Sequence, residues 1–147
     1  MATPEQIETT LAAYYEAWSD NDPALYRTVW AQDATFADPP TDDELPPLGA
    51  DQIVAAMADV QSRASSIRYE RHRTWRCGHS LAVHSTVTMG LPGSGGEPEV
   101  AVAEVPIIHV FRFNEDGLIR RLEAFLDFDQ VTMVRGERPG WMPPAPL

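Results

Sequence analysis

Two acidic residues, a tyrosine and a histidine stand in stretches of the sequence where each could take part in acid–base chemistry. Asp38 follows the largely apolar run 34–37 and precedes Pro39 and Pro40. A carboxylate at the mouth of an apolar pocket loses water, which raises its pKa and makes it a usable base near neutral pH. An Asp before Pro is also a common turn or cap residue, so the pattern leaves both roles open.

Tyr14 recurs with Ile7, Leu11 and Trp18 at the spacing of one helical face. Its hydroxyl could polarise a carbonyl group or hold an oxyanion. A core tyrosine whose hydroxyl bonds a backbone group would show the same pattern. Because adjacent residues on a helix diverge, we expect either Tyr14 or Tyr15 to point inward, but not both.

His109 lies in the middle of a predicted strand, close to Ile107 and Phe111. Burial lowers the pKa of a histidine and leaves a neutral ring that can accept or donate a proton. A core histidine with satisfied hydrogen bonds is the alternative. His84 shares a face of the neighbouring strand with Thr86, and this pair either meets His109 across the sheet or lies on a solvated or dimer face.

Asp127 closes a strand that contains Leu122, Ala124 and Leu126. Strict alternation puts Asp127 on the face opposite these three residues, but a bulge near the strand end would turn it inward, and bulges cluster at active sites. We therefore include Asp127 among the catalytic candidates. The predicted substrate-binding wall comprises Trp18, Phe36, Met57, His84, Phe111, Leu122 and Leu126.

Hydrophobic periodicity indicates which elements would position these residues. Thr3-Pro4-Glu5-Gln6 combines an N-cap, a first-turn proline and a capping box, which predicts a helix to about Ser19. Asn21-Asp22-Pro23 starts a second helix and Asp51 a third, with a short strand over 33–38 between them. The period then changes to that of strands over 67–76, 81–89, 99–113 and 118–127, with Ile67, Tyr69 and Trp75 on one face.

Helices segregated to one side of an antiparallel sheet define an α+β protein. We predict one domain over residues 1–135 and a proline-rich tail over 136–147. Its sheet should be cone-like, curved and antiparallel, with three N-terminal helices covering an apolar pocket, a favoured place for a ligand.

Composition removes several classes of function. The 147-residue chain carries a formal net charge of −11, which disfavours nucleic acid and anionic membranes as partners. All eleven basic residues are Arg, which excludes a Schiff-base or P-loop lysine. The single cysteine, Cys77, allows neither an internal disulfide nor a thiolate metal site. We expect no cofactor and no metal, and the lack of a signal segment or long apolar run favours the cytoplasm.

Several runs of the sequence resemble the nuclear transport factor 2-like superfamily over about residues 3 to 130. These are Tyr14-Tyr15-Glu16-Ala17-Trp18, Ala34-Thr35-Phe36-Ala37-Asp38-Pro39, and Val110-Phe111-Arg112-Phe113 with the turn that follows it. The superfamily includes ketosteroid isomerases, SnoaL-like polyketide cyclases, scytalone dehydratases and limonene epoxide hydrolases. The resemblance implies the fold and does not fix the reaction.

The N-terminal third is most similar to a ketosteroid isomerase. In that family a tyrosine of the first helix donates to an oxyanion and an Asp before Pro is the base, which match Tyr14 and Asp38. Where the family has a protonated Asp as its second oxyanion donor, this chain has His109.

The C-terminal third resembles epoxide hydrolases and SnoaL-like cyclases, in which a functional Asp ends the last strand, as Asp127 does here. The Arg-x-Asp that epoxide hydrolases need on an earlier strand is replaced by His84-Ser85-Thr86, which argues against ordinary epoxide hydrolysis. A histidine in this region is similar to scytalone-type dehydratases, which rely on His and Asp.

Together these residues predict a cofactor-independent enzyme of the isomerase, cyclase or dehydratase type, acting by proton transfer on a hydrophobic carbonyl or polyketide-like molecule. The alternative is a non-catalytic ligand-binding or dimerisation module of the same fold, and a homodimer through the sheet suits either. Geometry separates the two, because an enzyme requires at least two of Tyr14, Asp38, His109 and Asp127 to point into one cavity.

Overall fold

A computed structural model describes residues 1–37, 48–92 and 99–138. The chain order is α1 (Pro4–Asp20), α2 (Pro23–Thr28), β1 (Trp30–Ala37), α3 (Gly49–Ser62), β2 (Ser66–Cys77), β3 (Ser80–Pro92), β4 (Glu99–Phe113), β5 (Ile119–Leu126), a 3-10 helix (Phe128–Gln130) and β6 (Thr132–Arg135). The predicted α+β class is confirmed: three helices cover a curved, unclosed six-stranded sheet. Within the described ranges, no helix has the length and apolarity needed to cross a membrane.

The helix starts follow the capping signals in the sequence. Thr3 Oγ1 accepts a hydrogen bond from the Gln6 backbone N–H at 3.1 Å, and Gln6 Oε1 accepts one from the Thr3 N–H at 2.8 Å. This reciprocal pair is the predicted capping box. Asp22 caps α2 in the same way, since its Oδ1 accepts from the Leu25 N–H at 3.0 Å.

The strands run in the order β1-β5-β4-β3-β2, and β6 pairs with β4 beside the end of β5. Pairs among β2, β3, β4 and β5 are antiparallel, as hairpin connections require, but β1 pairs with β5 in parallel. The sheet is therefore mixed: antiparallel through these four strands, as predicted, with one parallel pair at this edge. The long connection through α3 and three strands leaves the direction of β1 free of any hairpin constraint.

Side-chain alternation on β4 and β3 separates an inner face from an outer one. Val105, Ile107, His109 and Phe111 are buried on the inner face, whereas Ile108 is 42% exposed on the outer face. In β2 a bulge at His72 shifts the register between Arg71 and Arg73 and reverses the alternation beyond it. Trp75, expected on the face of Ile67 and Tyr69, consequently lies outside and is 44% exposed.

Helix α1 lies inside the curve of the sheet, and both of its adjacent tyrosines are buried. The Tyr14 ring packs on Tyr26 of α2 with centroids 5.6 Å apart, and the Tyr15 ring packs on Tyr69 of β2 at 5.3 Å. The expectation that only one of the pair points inward is wrong. Neighbouring helical residues do diverge, but the protein surrounds α1 on more than one side, so both directions lead into the interior.

A buried hydrogen bond holds α1 against the turn between β4 and β5. Thr10 Oγ1 donates to the Gly117 carbonyl at 2.6 Å. Gly117 has a φ of 81°, a conformation that favours glycine, and a Cβ there would lie only 3.0 Å from Gln6 Cβ. The turn Asn114–Gly117 therefore supports the helix as well as reversing the chain.

We predict that Thr10→Val lowers the free energy of unfolding by about 1–3 kcal/mol, because it preserves shape but leaves the buried Gly117 carbonyl without its partner. Urea unfolding measures the change. The matched control is Thr9→Val, since the exposed Thr9 hydroxyl donates only to the Glu5 carbonyl of its own helix. Equal losses in both variants would contradict a special role for the Thr10 bond.

Candidate active site

A cavity of about 430 Å³ lies between the helices and the inner face of the sheet. Helices α1 and α3 form one side, and β2, β3, β4 and β5 form the other. The lining is mostly apolar and aromatic; it includes Tyr14, Trp18, Tyr26, Phe36, Ile53, Met57, Ile67, Tyr69, Val87, Met89, Ile107, His109 and Leu126. Such a lining with a few polar groups is typical of a site for a small organic ligand.

The structure brings six of the predicted site residues to this cavity: Tyr14, Trp18, Phe36, Met57, His109 and Leu126. Phe111 and Leu122 are fully buried, but they pack behind the lining. The Phe111 ring lies 5.2 Å from the Tyr14 ring, so it fills the space beneath α1 instead of facing the cavity. Phe111 and Leu122 therefore pack in the core and do not line the cavity, where they were predicted to contact the substrate.

His84 and Asp127 lie away from the cavity, contrary to the prediction. His84 alternates with Val83 and Ser85, whose side chains occupy the inner face, and so it projects to the outer face. The Asp127 carboxylate caps the 3-10 helix by accepting a hydrogen bond from the Asp129 N–H at 3.1 Å. Strand β5 ends one residue earlier at Leu126, so the expected inward bulge does not form. Asp38 lies outside the described residues, directly after Ala37 at the end of β1.

His109 lies at the back of the cavity in an aromatic cage. Its side chain is 1% exposed, and the rings of Tyr14, Tyr15, Tyr69 and Phe111 surround it at centroid distances of 5.5 to 5.7 Å. Its Nδ1 and the Tyr15 hydroxyl are hydrogen-bonded at 2.9 Å. Burial lowers the pKa of His109 from 6.5 to about 3, so the ring is neutral at physiological pH.

The two tyrosines of α1 stay protonated and can act as donors. Burial raises the pKa of Tyr14 well above its ordinary value, the neighbouring tyrosines add to the effect, and the Trp18 indole N–H opposes it. Burial also raises the pKa of Tyr15, while the Ser85 hydroxyl and the Arg71 guanidinium oppose the rise. The Trp18 Nε1 is buried and makes no hydrogen bond of normal geometry with the described residues, so its N–H is a further donor beside the cavity.

Sequence reasoning missed Tyr15, Tyr26 and Tyr69 as site residues. The alternation that puts Ile67 and Tyr69 on one face of β2 could have identified Tyr69 as an inward residue. Tyr15 was missed because only one of Tyr14 and Tyr15 was expected to point inward. It also missed the rim of the cavity, where Asp59 and Arg63 form an exposed ion pair at the end of α3.

The deep polar groups of the described lining are therefore donors or neutral, and they include the hydroxyl of Tyr14, the indole of Trp18 and the ring of His109. Over residues 1–37, 48–92 and 99–138, no group of histidine, cysteine and acidic side chains is arranged to hold a metal ion. Such a wall can bind an electronegative oxygen of a ligand and stabilise negative charge on it.

The fold and the cavity define an α+β protein whose helices and cone-like sheet enclose a cavity. The family model of the SnoaL-like domain matches residues 11–122, and the chain belongs to this family. No curated protein matches the sequence.

Solved structures show the same fold at low sequence identity. A polyketide cyclase candidate from Sinorhizobium meliloti is 24% identical, with a TM-score of 0.61 over 80% of this chain and 94% of the other. A Δ5-3-ketosteroid isomerase from Mycobacterium sp. is 18% identical, with a TM-score of 0.68 over 88% and 98%. A LEH-like epoxide hydrolase from Mycobacterium tuberculosis is 17% identical, with a TM-score of 0.66 over 85% and 84%. The resemblance to the nuclear transport factor 2-like fold is thereby confirmed.

We predict that His109 makes the protein less stable as the pH falls below 6.5. The folded state resists protonation down to about pH 3, whereas the unfolded chain takes up the proton at about 6.5, so the unfolded state binds more protons within this window. The contribution of His109 is up to about 1.4 kcal/mol per pH unit. Urea unfolding of wild type and His109→Gln between about pH 6.5 and 5 measures it, and parallel slopes in the two proteins would contradict it.

Proposed function

We propose that the protein is a cofactor-independent enzyme that moves a proton beside a carbonyl group of a hydrophobic substrate, in the manner of an isomerase, cyclase or dehydratase. The observation that carries the proposal is the placement of the neutral His109 ring and the protonated Tyr14 in the wall of one apolar cavity. Membership of the SnoaL-like family and the isomerase and cyclase-type structural neighbours support the same class of chemistry.

The first step is removal of a proton from the carbon next to the carbonyl. The electron pair of the broken C–H bond forms the C=C bond of an enolate, and negative charge grows on the carbonyl oxygen. Donors that are already oriented in a water-poor cavity stabilise this charge without reorganising, and Tyr14 and His109 take that role. In an isomerisation the same proton returns to another carbon, so no oxidant or reductant is consumed.

Asp38 is the proposed base. Deep in the described lining the polar groups are donors, and the carboxylate of Asp59 lies at the rim in an ion pair with Arg63. Asp38 directly follows β1, and Phe36 two residues before it lines the cavity. A carboxylate that enters such an apolar environment loses hydration and becomes a stronger base.

The lining favours a flat, apolar substrate of polyketide-like type. A volume of about 430 Å³ accommodates a small multi-ring or extended molecule. The rings of Trp18, Tyr26, Phe36 and Tyr69 offer aromatic faces and edges for packing, and a carbonyl oxygen is the acceptor that the wall can satisfy.

The test compares His109→Ala and Asp38→Asn with wild type on a panel of apolar enones and β-dicarbonyl compounds. Each variant should lower kcat/KM by about 10² to 10⁴, the usual effect of losing an oxyanion donor or a general base. His79→Ala is the matched control, because His79 is exposed in the turn between β2 and β3 and should leave turnover unchanged. Unchanged turnover in both site variants would remove these residues from the mechanism, and tight ligand binding without turnover would indicate a binding module.

We also propose that the protein is a homodimer joined through the outer face of the sheet. Four of the seven exposed large hydrophobic residues of the described chain lie on this face: Trp75, Val100, Ile108 and Phe125. Ile108 and Phe125 are register partners on β4 and β5, so they form one continuous apolar patch.

Charge on this face supports a second copy as the occupant. Arg73, Arg112 and Arg121 share the outer face with Glu104 and Glu123, which leaves it close to neutral although the chain as a whole carries −11. Two copies can therefore approach through this face without the repulsion that the rest of the surface imposes. A two-fold contact also needs both signs of charge on one patch, because the patch must complement itself.

Ile108→Asp should convert the dimer to a monomer, because each copy would bury an unpaired carboxylate in the contact. Light scattering coupled to size-exclusion chromatography measures the mass. Ala12→Asp adds the same charge on the exposed face of α1 and should leave the mass unchanged. A monomeric wild-type protein would exclude the proposed dimer.

A further inference from the structure

We propose that Tyr15 is a positioning residue that fixes His109 in the tautomer with its proton on Nε2, so that His109 meets the substrate as a hydrogen-bond donor and not as a base. The catalytic meaning of this tautomer rests on the proposed function, whereas the tautomer itself is a property of the resting protein. Tyr15 was not among the candidates from the sequence.

One hydrogen bond determines the tautomer. Tyr15 Oη and His109 Nδ1 lie 2.9 Å apart, and both side chains are buried. Either the hydroxyl donates to Nδ1, which leaves the ring proton on Nε2, or Nδ1–H donates to the hydroxyl, which leaves Nε2 as a lone pair. The first arrangement makes His109 a donor toward the cavity and the second makes it a base.

Ser85 distinguishes the two arrangements. Its side chain is fully buried on the inner face of β3, and Oγ makes no hydrogen bond of normal geometry with the described residues. The Tyr15 hydroxyl therefore does not donate to Ser85, and His109 Nδ1 is its one hydrogen-bond partner among the described residues. When Tyr15 donates to Nδ1, its proton is satisfied within this bond.

The opposite arrangement leaves a buried donor unsatisfied. If Nδ1–H instead donated to Tyr15, the Tyr15 proton would have no acceptor among the described groups around it, because Ser85 Oγ makes no hydrogen bond with it. A buried hydroxyl without an acceptor costs free energy, so donation from Tyr15 to His109 Nδ1 is the favoured arrangement.

A cation strengthens Tyr15 as a donor. The Arg71 guanidinium lies over the Tyr15 ring, 5.5 Å from its centroid, and is held there by two hydrogen bonds to Glu8 at 2.9 and 3.3 Å. Positive charge beside a phenol withdraws electron density from the O–H bond and makes its proton a better hydrogen-bond donor. Arg71 therefore polarises the Tyr15 hydroxyl toward Nδ1.

This tautomer defines what the cavity accepts. With Nδ1 occupied, Nε2–H is the free group of the ring, and it requires an acceptor such as a carbonyl or enolate oxygen. An amine or ammonium group placed beside Nε2–H would set two donors against each other, and neither would have an acceptor. The site should select a carbonyl over the corresponding amine, and the proton must be removed by a group other than His109.

Nitrogen NMR of the uniformly ¹⁵N-labelled protein reads the tautomer directly. The chain has four histidines, so the His109 ring is assigned by its loss from the spectrum of His109→Gln. Wild type should show a protonated Nε2 and a hydrogen-bonded, unprotonated Nδ1. In Tyr15→Phe the Nδ1 resonance should move to the position of a nitrogen with no hydrogen bond.

Tyr69→Phe is the matched control, because the Tyr69 ring also touches His109 but Nδ1 is bonded to Tyr15. The control should leave Nδ1 unmoved. A wild-type ring protonated on Nδ1 would overturn the inference, and so would an Nδ1 resonance that is the same in wild type and Tyr15→Phe. The wild-type spectrum decides the tautomer even if Tyr15→Phe does not fold.

Turnover supplies an independent readout. The side-chain N–H of glutamine reaches the position of imidazole Nε2, whereas that of asparagine reaches only the position of Nδ1. His109→Gln should therefore retain at least tenfold more kcat than His109→Asn, with similar KM values. Equal kcat values would overturn donation through Nε2. A protonated Nε2 in a protein that turns over none of the panel would leave the tautomer standing and refute the proposed function.

Discussion

The hydrogen bond between Tyr15 and His109 is the constraint on which the geometry of the cavity depends. It joins the middle of α1 to the middle of β4 at 2.9 Å, in a region where both groups have lost their water. Leaving either group without a partner there would cost more than the bond itself contributes. Helix α1 must therefore keep both its distance from β4 and its rotation about its own axis. The same rotation directs Tyr14 toward Tyr26 and into the lining.

The cavity exists because α1 covers only part of the curved sheet. Beneath the helix, Phe111 and Leu122 fill the inner face completely. Toward the other end, small or flexible side chains such as Ala124, Met57 and Met89 face the space below α3 and leave it open. The packed core and the cavity thus lie next to each other on the same strands. His109 lies at the boundary between them. This position explains how a ring can be almost wholly buried and still line the cavity.

Local signals in the sequence predicted the parts of this structure that depend on neighbouring residues. The capping box at Thr3 and the alternation along β4 are of this kind, and they placed α1 and the inward side of His109 correctly. Features that depend on distant contacts were not predictable. The bulge at His72 reverses Trp75, the cap formed by Asp127 keeps its carboxylate outside, and the wrapping of the protein around α1 buries Tyr15 as well as Tyr14. The family resemblance drew attention to Tyr14 and Asp38, but it could not reveal Tyr15, whose partner is 94 residues away.

The polar groups of the cavity are hydrogen-bond donors, whereas the chain as a whole is negatively charged. The surface carries a net charge of −11, yet the deep lining in the described ranges presents hydroxyl and N–H donors with no free carboxylate beside them. A neutral ligand can cross the negative exterior without the repulsion that an anion meets. In the proposed reaction, the donors inside the cavity act on negative charge that the reaction itself creates. This separation favours a substrate that is uncharged on entry and develops an oxyanion in the transition state, because a ground-state anion would be repelled outside and bound too tightly within.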